Sequence, residues 1–285
     1  MSAPTIVPPP STESAATTTA APRRRAVPVN RRSALVLGLA SVAGLGMFLW
    51  PLLLSPVGVD VGTTPNAPLT FVLILPVLVA IVVAELTDRT LDTRALALLG
   101  VLSAIGAGLR PLGAGTAGIE TVFFLLILAG RVFGPGFGFV LGATTLFTSA
   151  LVTAGVGPWL PYQMLAAAWV GGLAGILPGR TRLRGRAEIA LLVAFGVVAA
   201  FVYGFLMNLT FWPFSLGSDT ELSFVAGAPV LENLHRFIVF SFGTSALGWD
   251  IGRALTNGVA IVLAGPAVLQ ALRRASRRAR FEPLG

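Results

Sequence analysis

The chain contains no Lys, and seventeen of its twenty Arg residues sit near the two ends or in three short breaks between long apolar runs. A soluble domain spreads its charge over a continuous surface, whereas a chain threaded repeatedly through a bilayer confines charge to the ends of its spans. Composition agrees with the second case. Hydrophobic residues make up 55% of the 285 residues and charged residues 11%, with a mean hydropathy of +0.84, too little charge to keep a domain of this size dispersed in water. A hydrocarbon slab about 30 Å thick needs roughly 20 apolar residues per helix. Eight runs approach that length, at 33–54, 69–86, 95–111, 119–132, 137–153, 161–178, 188–211 and within 236–272. The expected fold class is therefore all-α, a polytopic membrane helix bundle of about eight spans.

Positive charge also orients such a bundle, because cytoplasmic loops retain the excess of Arg. Alternating the sides assigns Arg23–Arg25, Arg31, Arg32, Arg89, Arg94, Arg131, Arg180, Arg182, Arg184, Arg186 and the five residues from Arg273 to Arg280 to one face. The opposite face receives Arg110 alone. Both termini are then expected in the cytoplasm of a bacterial plasma membrane protein. An even number of crossings makes 236–272 a single crossing preceded by a part-helix or loop dipping in from outside. Residues 1–32, rich in Pro, Ala, Ser and Thr, are expected to form a disordered cytoplasmic tail. Asn30-Arg31-Arg32-Ser33 resembles a twin-arginine signal only superficially, since a retained helix follows with no Ala-x-Ala site. The net charge of +8 reads as topology, and nucleic-acid binding is not expected.

Several chemistries are excluded or disfavoured. There is no Cys, and His235 is the one histidine, so thiolate metal sites and the H-E-x-x-H proteases are absent. No G-x-x-x-x-G-K-[ST] loop or G-x-S-x-G elbow occurs. Carboxylates are few: Glu85, Asp88 and Asp92 at one boundary, Asp219 and Glu221 in an outer loop. Asp88 and Asp92 alternate with Arg89 and Arg94, which reads as a solvated turn rather than a metal-phosphate site. No enzyme activity, metal or cofactor is expected. Transport or binding remains, and an ion-coupled secondary transporter of a small organic solute is the alternative, resting on Asp250 and Glu120 as intramembrane carboxylates.

From residue 95 onward the patterning is more specific. Gly100, Ala104 and Gly108 form a small-x-x-x-small stripe, which permits close helix approach within the bundle or against another subunit. Gly134-Pro135-Gly136 and Gly157-Pro158 break successive helices. Asp250 and Arg253 lie one helical turn apart within an apolar run, where each can neutralise the other. Taken with the segments LAGRVFGPGFGFVLG, GVGPWLPYQMLAAAWVGGLAGILPGR and TSALGWDIGRALTN, the order of these features resembles the substrate-binding S component of energy-coupling-factor (ECF) vitamin transporters of the actinobacterial type.

The resemblance implies a six-helix substrate-binding core at 95–272, with 33–94 as two additional N-terminal helices and 273–285 as a basic cytoplasmic tail. It implies a high-affinity subunit of an ABC-type importer for a vitamin or related micronutrient, foremost a cobalamin-type corrinoid. Partners would be a transmembrane coupling subunit docking on Gly100, Ala104 and Gly108, two cytoplasmic ATPases, and membrane lipid. The external ends of the core helices bring together Arg110, Glu120, Trp159, Tyr162, Gln163, Asn208, Trp212, Trp249 and Asn257 as candidate substrate-binding residues, with Phe211 and Asn233 beside them. Trp and Tyr at this level also suit an interfacial aromatic belt, and Arg110 and Glu120 suit either a structural clamp or an anion-binding pair.

Overall fold

The computed structural model describes residues 26–27, 29–54, 76–77, 79–80, 82–84, 93–113, 117–179, 183–216 and 220–279. Most of the N-terminal tail, most of the expected 69–86 span, Glu85, Asp88, Asp92, Arg180, Arg182, Asp219 and Arg280 lie outside the described residues. Among the described residues there is no strand. Helices α1 (Arg31–Phe48) and α2 (Trp50–Leu54) precede α3 (Thr93–Leu109), α4 (Val122–Phe133), α5 (Pro135–Val152), α6 (Leu160–Ile176), α7 (Arg186–Ser215), α8 (Val230–Ser241), α9 (Ile251–Leu263) and α10 (Gly265–Arg278). Four helices have the length and apolarity to cross a bilayer, five if the bent pair at the C-terminal end counts as one span, while α4 and α6 are apolar but shorter.

Helix α4 is apolar on every side, and such a helix belongs at the centre of a bundle. All its residues except Phe124 are buried. Gly134, at φ +104°, reverses the chain in a single residue, and Pro135 starts α5 where a missing N–H costs nothing. The α4–α5–α6 layer is packed backbone to backbone. A Cβ added at Gly130 or Gly138 would strike the Gly171 backbone, and one at Gly142 would strike Ala167. Close approach of this kind supplies van der Waals contact where lipid offers no hydrophobic driving force between helices.

The expected interruption before the last crossing is not found. Residues Val230–Leu263 run as one helix, widened to π geometry over Phe242–Asp250, and then bend by 66° into α10. Gly243 and Gly248 among Ser and Thr look like a chain break in sequence, but the π turn absorbs the irregularity without reversing direction. Pro266 ends the span instead, since its ring cannot continue the α9 hydrogen-bond ladder.

The N-terminal α1 is docked on the core. Asn30 caps it by accepting from the Ser33 N–H at 2.8 Å. Phe48 is fully buried, with its ring 5.1 Å from Tyr162 and 5.5 Å from Trp169, and the Trp169 indole donates to Ser41 at 3.0 Å.

Candidate substrate site and coupling face

At the end of the bundle where α3 finishes and α4 begins, Gly252 has no side chain to hold off the 117–118 turn, and the Ala117 carbonyl sits against it. That turn uses left-handed backbone at Ala117 (φ 43°) and Gly118 (φ 75°). Thr121 then closes the loop by donating its hydroxyl to the Leu109 carbonyl at 2.6 Å. The consequence is that Glu120 reaches Arg253, whose Nε donates to its carboxylate at 2.7 Å. Arg253 Nη1 donates to Asp250 at 2.8 Å and to the Ala200 carbonyl at 3.2 Å, and its guanidinium lies 4.9 Å from the Tyr203 ring centre. One guanidinium thus joins the 119–121 loop, α7 and the final span, with an aromatic face beneath it.

Arg110 and Glu120 stand at opposite ends of this closure, yet they do not pair. Arg110 donates to Gln163 of α6 at 2.9 Å, while Glu120 is taken by Arg253, because both partners are brought in by other helices. Arg110 and Gln163 remain partly exposed, as does the Glu120 side chain at 24%. Trp159 and Trp249 are exposed aromatics at this end, at 44% and 42%. These five residues contribute polar and aromatic surface there. Arg236 in α8 also belongs to the same half of the molecule, paired with Glu232 at 2.7 Å, so Arg110 is not alone on the Arg-poor side.

The remaining sequence candidates are occupied by internal contacts. Trp212 is fully buried and donates its indole N–H to the Leu222 carbonyl at 2.8 Å. Asn233 grips the Val225 N–H and carbonyl, so the two residues pin the loop before α8. Asn208 donates to Ser241 at 3.0 Å. Tyr162 is buried between Phe48 and Phe211. Asn257 is 1% exposed, donating weakly to the Gly196 carbonyl at 3.3 Å. These side chains make contacts between helices, and sequence alone does not separate such contacts from a ligand contact, because a polar group in an apolar run is the same signal for both roles.

On α3, Gly100, Ala104 and Gly108 are exposed, and no described atom lies within 4 Å of a Cβ built at Gly100 or Gly108. The opposite face does the packing: Leu99, Leu102, Gly106 and Ala107 are buried, and Ser103 shares a hydrogen bond with Thr144 at 2.8 Å. The stripe of small residues is therefore turned away from the bundle, with Leu96, Val101 and Ile105 beside it, also exposed.

A family model described as the ECF transporter substrate-specific component matches residues 94–247, more than half of the chain. The chain belongs to this ECF substrate-specific family. No curated protein and no solved structure was found to match it. The matched segment begins with α3 and ends inside the π turn, so α1 and α2 lie outside it, as do Trp249, Asp250, Arg253 and Asn257. As an S component, the chain is a membrane transport subunit that confers substrate specificity on an importer energised by a separate module.

At the Arg-rich end of the S component lies a cluster that the sequence reading treated only as loop charge. Arg131 is 2% exposed. Its Nε donates to Glu188 at 3.0 Å, and its Nη1 satisfies the Leu177 and Pro178 carbonyls at the end of α6, which a helix terminus otherwise leaves without partners. Arg273 of α10 donates to both Glu188 oxygens at 2.6 Å. No local signal links residues 131, 188 and 273. Among the described residues no group of three or more His, Asp or Glu is placed to hold a metal ion. Cavities include one of about 1020 Å³ between α7 and α10, one of about 620 Å³ between the 76–83 segment and α5–α6, lined also by Val156, Gly157 and Leu160 beside Trp159, and one of about 510 Å³ between α1, α7 and α8, reaching Asp250.

Proposed function

We propose that this S component captures a vitamin-like micronutrient at its Arg-poor end, facing outside the cell, and delivers it to a transmembrane coupling subunit docked on the Gly100–Ala104–Gly108 stripe and driven by two cytoplasmic ATPases. The observation that carries this reading is the pairing of two features on one helix. Helix α3 offers a small-residue face that no other described residue covers, and it ends at Arg110 in the half-exposed polar group with Gln163 and Glu120. A ligand held there is directly coupled to a helix that a partner can grip.

The ligand class follows from the donors and acceptors on offer. Arg110 and Gln163 supply N–H groups, Glu120 and Gln163 supply acceptors, and Trp159 and Trp249 supply flat apolar faces, a set suited to a large ring bearing amide arms. A cobalamin-type corrinoid is the first choice. Ion-coupled transport is the weaker reading, because Asp250, a carboxylate buried within the final span, is held by Arg253.

The test is mass spectrometry of the full chain purified in mild detergent from its native membrane. Co-purification of a membrane coupling protein with ATPases and a bound corrinoid is the expected result. A different stoichiometric vitamin would replace the ligand and leave the class intact. Protein without partners that alone drives solute uptake into ion-loaded liposomes would overturn the proposal.

A further inference from the structure

A large cavity lies far from the substrate end, where α7 begins and α10 crosses beneath it. Its walls are apolar, formed by Ile189 and Val193 of α7 and Leu269 of α10, and its rim carries Arg186, Arg273 and Arg277. Glu188 also reaches the rim, but its charge is already met by Arg131 and Arg273. Arg186 and Arg277 are exposed and make no ion pair among the described residues. A net positive rim thus surmounts an oily groove of about 1020 Å³, at the level where a span leaves the hydrocarbon.

Geometry adds a reason for the groove. The 66° bend after Leu263 lays α10 across the end of the bundle, with Leu269 and Leu272 buried against the core. Arg273 fixes that position through Glu188. Because α10 departs at an angle while α7 continues along its own axis, the two helices diverge and cannot close on each other. A side-chain wedge does not fill the gap; Ala190 and Ala194 of α7 face into it and are exposed.

We infer that this groove binds an anionic phospholipid of the adjacent leaflet, with an acyl chain along Ile189 and Val193 and the phosphate between Arg186 and Arg277. A zwitterionic lipid matches the walls equally but leaves the rim charge uncompensated, so the groove selects by headgroup. Each Arg close to an anionic lipid contributes about a severalfold preference. The site is independent of the substrate end and of what is transported.

The experiment uses the full chain in detergent, native mass spectrometry, and titration with phosphatidylglycerol or phosphatidylcholine. Wild type is expected to retain phosphatidylglycerol in preference, and R186Q/R277Q to weaken that retention by about tenfold or more. Both positions are exposed, and an unchanged melting temperature would establish that the variant folds. Ala190→Trp, which fills the groove from a lipid-facing position, is expected to lower retention while leaving both Arg residues in place. Equal retention of the two lipids, or undiminished phosphatidylglycerol binding by R186Q/R277Q, would overturn the inference. Stabilisation of wild type by inorganic phosphate alone, matching that by phosphatidylglycerol, would reassign the rim to a free anion and overturn it likewise.

Discussion

Arg253 holds three elements with two nitrogens, and the arrangement predicts its own fragility. Removing the cation leaves Glu120 and Asp250 as carboxylates without a counter-ion in a region poor in water, and breaking a buried ion pair in this way costs about 3–5 kcal/mol. Arg253→Gln is therefore expected to lower the melting temperature in detergent markedly. Arg253→Lys should recover only part of the loss, since a single ammonium cannot reproduce donors aimed at Glu120, Asp250 and the Ala200 carbonyl. Full recovery by Lys would mean that charge alone matters. Trp212→Phe tests a gentler case: losing the N–H that meets Leu222 is expected to cost about 1–2 kcal/mol without altering ligand binding. At this scale sequence was informative only over short range. The Asp250–Arg253 pair was legible because one helical turn separates the two residues, whereas Arg131 read as a loop charge because Glu188 and Arg273 arrive from distant segments. Tyr203, directly beneath Arg253, carried no mark that set it apart from an ordinary core aromatic.

Helices behave according to which glycines they spend on contact. A Cβ at Gly138 meets the Gly171 backbone, which cannot rotate away as a side chain can, so Gly138→Ala is expected to destabilise the α5–α6 packing by about 1–3 kcal/mol. Gly108→Ala on α3 meets nothing and exchanges glycine for a better helix former, so it should be neutral or stabilising by up to about 1 kcal/mol. Melting of the two variants side by side checks both signs; equal destabilisation would show that the α3 face is packed after all. Five of the element positions in the core, from α3 to α7, were readable from apolar runs and Gly-Pro breaks. The π turn at Phe242–Asp250 was not, because its Ser, Thr and Gly content is also that of a loop, and only the register of neighbouring helices decides between them.

For the whole molecule, the proposed docking face on α3 and the proposed substrate group at its end predict two activities that single substitutions uncouple. Gly100→Leu is expected to leave folding and ligand binding intact while abolishing co-purification of the coupling subunit, since the added side chain projects into space that no described residue occupies. Loss of ligand binding in the same variant would instead place the stripe within the substrate site. The bundle class was evident from where Arg was absent. Which face of each helix points inward was not, since an apolar side chain suits both lipid and core, and only contact with neighbours distinguishes them.

The helices also differ greatly in length. Helix α4, with twelve residues, is about 18 Å long and hidden among its neighbours, whereas α7, with thirty, extends about 45 Å and exposes Val197, Val198, Phe201, Val202 and Phe205. A hydrocarbon layer of about 30 Å is therefore too thin for α7, and the continuous Val230–Leu263 helix is longer still. Such hydrophobic mismatch is relieved by leaning the helix or by thickening the surrounding bilayer. Because α7 is tied to the core through Arg253 and Glu188, leaning it leans the body, and membrane thickness becomes a mechanical input to the orientation of the subunit.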